Sequence, residues 1–205
     1  MAQEMENLEL RERLDLVESM IAEGRRNTES WGWTFLLWGL AYYVAIGWSS
    51  IGERFAVWGA NALAWPVTMV GAAVLTLAIA FGRVRRHPNT TIGRAILSVW
   101  CSVGISMLVI FPALAVAERL DQHAFVAIVA AMLAVANGAS GMILKWKAQI
   151  ACAVVWWIAS AVACFGSGTQ LTVVFLAALF LCQIVFGIYA MICESRRRLH
   201  GELHA

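Results

Sequence analysis

The sequence predicts an all-α polytopic membrane protein, six transmembrane helices preceded by an amphipathic helix that stays outside the bilayer. Of its 205 residues, 61% are hydrophobic and only 14% charged, against roughly 25% charged in a soluble domain. The 13 acids all fall outside the long apolar runs, in residues 1–30, in short connecting segments or in the tail. The Lys and Arg residues collect on alternate connections, which is the pattern that orients multi-pass proteins.

Residues 1–30 hold eight acids and four bases, and the remainder five acids and eleven bases. So charged a start has no apolar stretch of the kind a cleavable signal peptide needs, and none is expected. Leu10, Leu14, Val17 and Ile21 recur at spacings of four, three and four, and Leu8, Leu16 and Met20 widen the stripe. Acids fill the other face, so the pattern is an amphipathic helix, expected to end at Gly24. An acidic polar face is a poor match for anionic lipid. The stripe Leu10, Leu14, Val17 and Ile21 is instead the candidate partner-binding surface, either for the protein's own loops or for a protein partner, a second copy included.

The first span is expected over 32–51, with Trp31, Trp33 and Trp48 at its ends as an interfacial belt. The uncharged run 55–81 exceeds one crossing. Trp65 and Pro66 are expected to open the second span, since proline suits a helix's first turn, leaving 55–64 as an interfacial segment. Arg83, Arg85 and Arg86 stop that span and Pro88 with Asn89 makes the turn. A third span covers 95–117, with Pro112 expected to bend its outer end. The fourth, 124–144, carries Ala127, Ala131, Ala134, Gly138 and Gly141, small residues that let backbones approach and make it the candidate helix-packing face. Lys145 and Lys147, the only charged side chains between Asp121 and Glu194, mark the turn into the fifth span, 148–165. The sixth covers 171–192, and Arg196, Arg197 and Arg198 follow it.

With both termini inside, thirteen Lys and Arg lie on the inner connections and two, Arg54 and Arg119, on the outer ones. This predicts cytoplasmic N- and C-termini. The expected organisation is a cytoplasmic helix and linker over 1–30, a six-helix bundle over 31–193 and a basic tail over 194–205. The partner of the bundle is the lipid bilayer; bases scattered over loop ends do not form a nucleic-acid surface.

The segments WGWTFLLWGLAYY (Trp31 to Tyr43), LAWPVTMVGA (Leu63 to Ala72) and GASGMILKWKAQIACAVVWWI (Gly138 to Ile158) resemble segments of an uncharacterised group of small bacterial six-span membrane proteins. In that group a charged amphipathic helix precedes an LLWG-containing first span, and a small-residue/ILK turn joins the last hairpin. The resemblance implies a bacterial cytoplasmic (inner) membrane and brings no catalytic residue.

The inventory of reactive groups is short. No acid lies within a span, which argues against proton- or sodium-coupled transport, since such sites are built from buried ionisable residues. His87, His123, His200 and His204 lie in connections or tail, so an intramembrane haem or zinc site lacks its usual ligands. No cofactor or metal is expected, and no catalytic set is recognised. Of the five cysteines only Cys164 approaches the outer face, so no outer disulfide is expected. One polar layer stands out: Ser102, Asn137 and Gln183 fall at a similar depth, and a contact of Asn137 with Gln183 is expected between the fourth and sixth spans. Two function classes follow. One is a non-catalytic interaction, scaffold or regulatory component acting through the N-terminal helix. The other is a channel or facilitator for a small neutral or apolar solute.

Overall fold

The computed structural model of the chain describes residues 2–54, 60–84 and 91–202. The described residues contain no strand. They form α1 (Ala2–Ser30), α2 (Gly32–Arg54), α3 (Ala60–Val84), α4 (Thr91–Val116), α5 (Gln122–Ile143), α6 (Lys147–Phe165), α7 (Gly168–Leu179), a π-helical segment (Phe180–Val185) and α8 (Phe186–Glu202). Among the described residues, six stretches are long and apolar enough to cross a bilayer: Gly32–Gly52, Leu63–Gly82, Thr91–Val116, Gln122–Ile143, Lys147–Phe165 and Gly168–Arg197. Each spans about 28 Å or more at ~1.5 Å per residue, close to the hydrocarbon thickness. The chain is an all-α multi-pass membrane protein.

The elements pack as two units. The first combines Met1–Glu29 with Thr90–Cys164, and the second combines Ser30–Asn89 with Phe165–Ala205.

In the first unit, α5 and α6 form a hairpin. Gly141 lies so close to α6 that a Cβ there would stand 2.9 Å from the Ile150 amide nitrogen, and one at Gly138 would stand 3.3 Å from the Trp157 ring. Farther along, the Ser160 hydroxyl donates to the Ala127 carbonyl (3.0 Å), and His123 Nδ1 pairs with the Ala163 carbonyl (2.9 Å). The carbonyl can only accept, so that nitrogen carries its proton. Lys145 closes the turn in the left-handed conformation (φ 49°). The Trp146 amide reaches back to the Gly141 carbonyl (2.8 Å) and the Lys145 amide to Met142 (3.3 Å), which together satisfy the carbonyls left open at the end of α5 in the Schellman manner. Glu118 ends α4 in the same way, at φ 55°. Of α4, Gly93, Ile96 and Val103 are buried, while Leu97, Ile105, Leu108 and Val109 are exposed, as expected of a face meeting lipid.

In the second unit, α2 crosses the last span at glycines. A Cβ at Gly187 would meet the Gly32 carbonyl and Leu36 amide at 3.0 Å, and one at Gly39 would meet Gln183 Cβ and Ile184 at 2.8 Å. Phe35 sits edge-on against Phe186 (5.0 Å), Tyr42 against Trp65 (5.9 Å) and Phe175 (6.2 Å), and the Tyr43 hydroxyl donates to the Leu176 carbonyl (2.9 Å).

Several expectations change. α1 does not stop at Gly24 but continues to Ser30; the reason lies in its packing, described below. The helix containing Pro66 begins at Ala60, so Pro66 lies inside α3 and not in its first turn. Residues 60–64 are thus helical, while 55–59 lie outside the described residues, as do Arg85, Arg86, His87, Pro88, Asn89 and His204. α4 runs unbroken through Pro112, which stands four residues before its end.

Candidate functional site

The unit that contains α1 also contains the turn on which its base is seated. At Gly24 a Cβ would lie 2.5 Å from Ile92 Cγ2 and 3.1 Å from Leu144 Cδ2. Glycine is present there for close approach to the bundle, not to reverse the chain, which is why the helix passes through it. One residue on, the Arg25 guanidinium stacks over the Trp146 ring at 5.3 Å, and its Nε lies 3.3 Å from a Glu29 carboxylate oxygen. Trp146 is 2% exposed and Glu29 1% exposed. Burying a carboxylate is costly unless it is paired, so this contact ties the last two turns of α1 to the α5–α6 turn. Thr28 is also buried and donates to the Gly24 carbonyl at 3.0 Å.

Outward from this base the burial ends. Leu10, Leu14 and Val17 are 57%, 55% and 51% exposed, and Leu16 is exposed as well. Ile21 is half-buried. The stripe named from sequence as partner-binding thus lies on one helix whose final turns are seated and whose preceding turns are bare. A run of exposed large apolar side chains on an otherwise charged helix marks a surface that gains by being covered. Among the described side chains, Arg13 pairs with Glu9 on the surface of this helix, an ion pair of a kind worth a few tenths of a kcal/mol.

The residues of the candidate polar layer have different surroundings. Ser102 lies on the exposed side of α4, because the helical period turns Ile96 and Val103 inward. Instead the half-buried Trp100 indole donates to Ser140 Oγ at 3.1 Å. Asn137, Ser140 and Gln149 are each fully buried in the first unit. The Asn137 amide nitrogen donates to the Leu133 carbonyl of its own helix (2.8 Å). Its Oδ1, and both polar atoms of Gln149, have no hydrogen-bond partner among the described residues. Sequence reasoning missed Ser140 and Gln149. The signal was available: Ser140 follows Asn137 by one helical turn, and Gln149, Ala153 and Trp156 share one buried face of α6. Gln183 belongs to the second unit, where it is buried within the π-helical segment beside Gly39. Both Asn137 and Gln183 are therefore buried, each within its own unit.

Of the small residues on α5, Ala134, Gly138 and Gly141 are buried, and Ala127 and Ala131 are half-buried. Among the described residues no group of three or more His, Cys, Asp or Glu is placed to hold a metal ion. No family model, curated protein or solved structure matches the chain.

Proposed function

We propose that this protein is a non-catalytic component of the bacterial cytoplasmic membrane that engages a protein partner through the outer half of α1. The observation that carries this reading is the contrast along one helix: a base held by Arg25, Glu29 and Trp146, and a bare apolar stripe at Leu10, Leu14 and Val17. A stripe carried on an already formed helix with a seated base is presented with less ordering cost than one on an unfolded segment, which favours association. The thirteen-to-two distribution of bases supports cytoplasmic termini, and the resemblance to small bacterial six-span proteins supports the inner membrane. The scarcity of ionisable groups within the spans supports a role other than catalysis.

The test is co-purification from native membranes of the wild type and of a Leu10→Asp/Leu14→Asp variant. Stoichiometric association present in the first and lost in the second is the expected result; identical complexes from both would overturn the reading. Labelling of single cysteines at 119 and 145 from either side of the membrane tests the orientation, with position 145 expected to react from the cytoplasm.

A second reading, a facilitator for a small neutral solute, draws on the Asn137 amide oxygen and the Gln149 amide, which have no hydrogen-bond partner among the described residues and would suit a polar path. Solute flux into liposomes that falls on Gln149→Leu would favour it over the first.

A further inference from the structure

The bare stripe also contains information about what covers it. With Leu10 and Val17 at d and Leu14 and Ile21 at a of a heptad, the remaining a position is Asn7, an exposed residue of α1. A single asparagine at an a position is the device by which coiled coils select two strands in register. The positions flanking the seam between Asn7 and Ile21 are then e (Arg11, Glu18) and g (Arg13, Met20). In a parallel pair each g residue faces the e residue five positions later in the other helix. Arg13 meets Glu18, a combination opposite in sign. The excess acids, Glu9, Glu12, Asp15 and Glu23, stand at c, f, b and c, away from the seam. Most of the acidity of the segment therefore stands away from the seam, whose rim carries both signs.

We propose that α1 pairs with α1 of a second copy as a short parallel coiled coil, with a seam of Asn7, Leu10, Leu14, Val17 and Ile21 and with Arg13 set against the second copy's Glu18. This rests on the reading of α1 as the interaction element and names its occupant. The base of α1 sets the direction: two copies sharing a bilayer share an orientation, so helices that leave from equivalent seats at Gly24 and Arg25 meet side by side in the same sense. The seam ends at Ile21, because the next d position is Gly24, already packed on Ile92 and Leu144. Two heptads are weak in free solution. Confinement to one membrane raises the effective concentration enough for them to matter.

The experiment uses full-length protein in lipid vesicles, with donor- and acceptor-labelled copies mixed and energy transfer followed on dilution with lipid. Arg13→Glu is expected to weaken association about fivefold, since both symmetric pairs become repulsive. Arg13→Glu/Glu18→Arg is expected to restore it, a rescue that simple damage to the helix would not show. Oxidative cross-linking adds register, with the wild type as the baseline for native cysteines. Leu14→Cys is expected to link to itself, and a mixture of Leu10→Cys with Ile21→Cys is not. An unchanged Arg13→Glu variant, a failed rescue, or linkage only in the mixed pair overturns the proposal. If the wild type shows no self-association while Leu10→Asp/Leu14→Asp still strips a different protein from the complex, self-pairing falls and the interaction reading stands. If neither occurs, both fall.

Discussion

Within α1, the turns from Gly24 to Ser30 and those from Leu10 to Val17 belong to one helix yet have different surroundings. The first is rich in polar residues and is largely covered, with Thr28 and Glu29 buried and Arg25 against Trp146. The second carries the larger apolar side chains and is open to solvent. Hydrophobicity alone would have assigned them the other way round. The difference shows that docking here is decided by close backbone approach at Gly24 and by a cation–aromatic contact, while the apolar stripe is left uncovered.

The largest break in this contrast is expected from Trp146→Ala, which removes a fully enclosed ring from beneath Arg25 and beside the turn. A loss of about 3 to 5 kcal/mol is typical of such truncations. It should appear in denaturant titration of the detergent-solubilised protein, together with new protease sensitivity near Gly24.

Gly141→Ala should follow at about 1 to 3 kcal/mol, since its Cβ would meet the Ile150 backbone nitrogen as well as that residue's side chain, and the backbone cannot move aside. Thermal unfolding in detergent measures it, and a change below about 0.5 kcal/mol would mean that the hairpin separates more easily than its spacing implies.

A comparable effect is expected from Arg25→Ala, about 1 to 3 kcal/mol, because it removes the cation–aromatic contact and takes Arg25 away from the buried Glu29 carboxylate. Limited proteolysis of residues 1–30 reports it. Arg25→Lys should recover only part, because the flat guanidinium stacks and the ammonium does not.

The smallest is Leu14→Ala, within about 0.5 kcal/mol on stability because the side chain is already exposed. Its effect belongs to association, and the same variant should lower energy transfer between copies. Loss of stability instead of association would show that the stripe is used within the chain.

Much of this was legible from residues alone. The six spans follow from uncharged stretches of about twenty residues, and the helical stripe of α1 follows from its spacing. The two glycines of α5 are a small-residue signature whose contacts are local, with a hairpin partner only a few residues away in the chain. The candidate polar layer was less legible. Depth along a span can be counted from its end, which grouped Ser102 with Asn137 and Gln183, but rotation about the axis decides whether a side chain meets protein or lipid. A nearly uniform apolar helix such as α4 carries little record of that rotation. Ser140 and Gln149 were passed over although the first stands one turn from Asn137 and the second on the face of Ala153 and Trp156.

What the sequence determined by itself is the solvent: runs of uncharged residues bounded by bases have their free-energy minimum across a hydrocarbon layer, whatever their neighbours. What only the tertiary structure decided is which surfaces are spent. Gly24 reads as a stop in one dimension and proves to be a seat in three, because a missing Cβ has meaning only when another chain segment occupies its place. The same packing left Leu10, Leu14 and Val17 uncovered, and exposure is a property of the folded arrangement that no spacing along the chain contains.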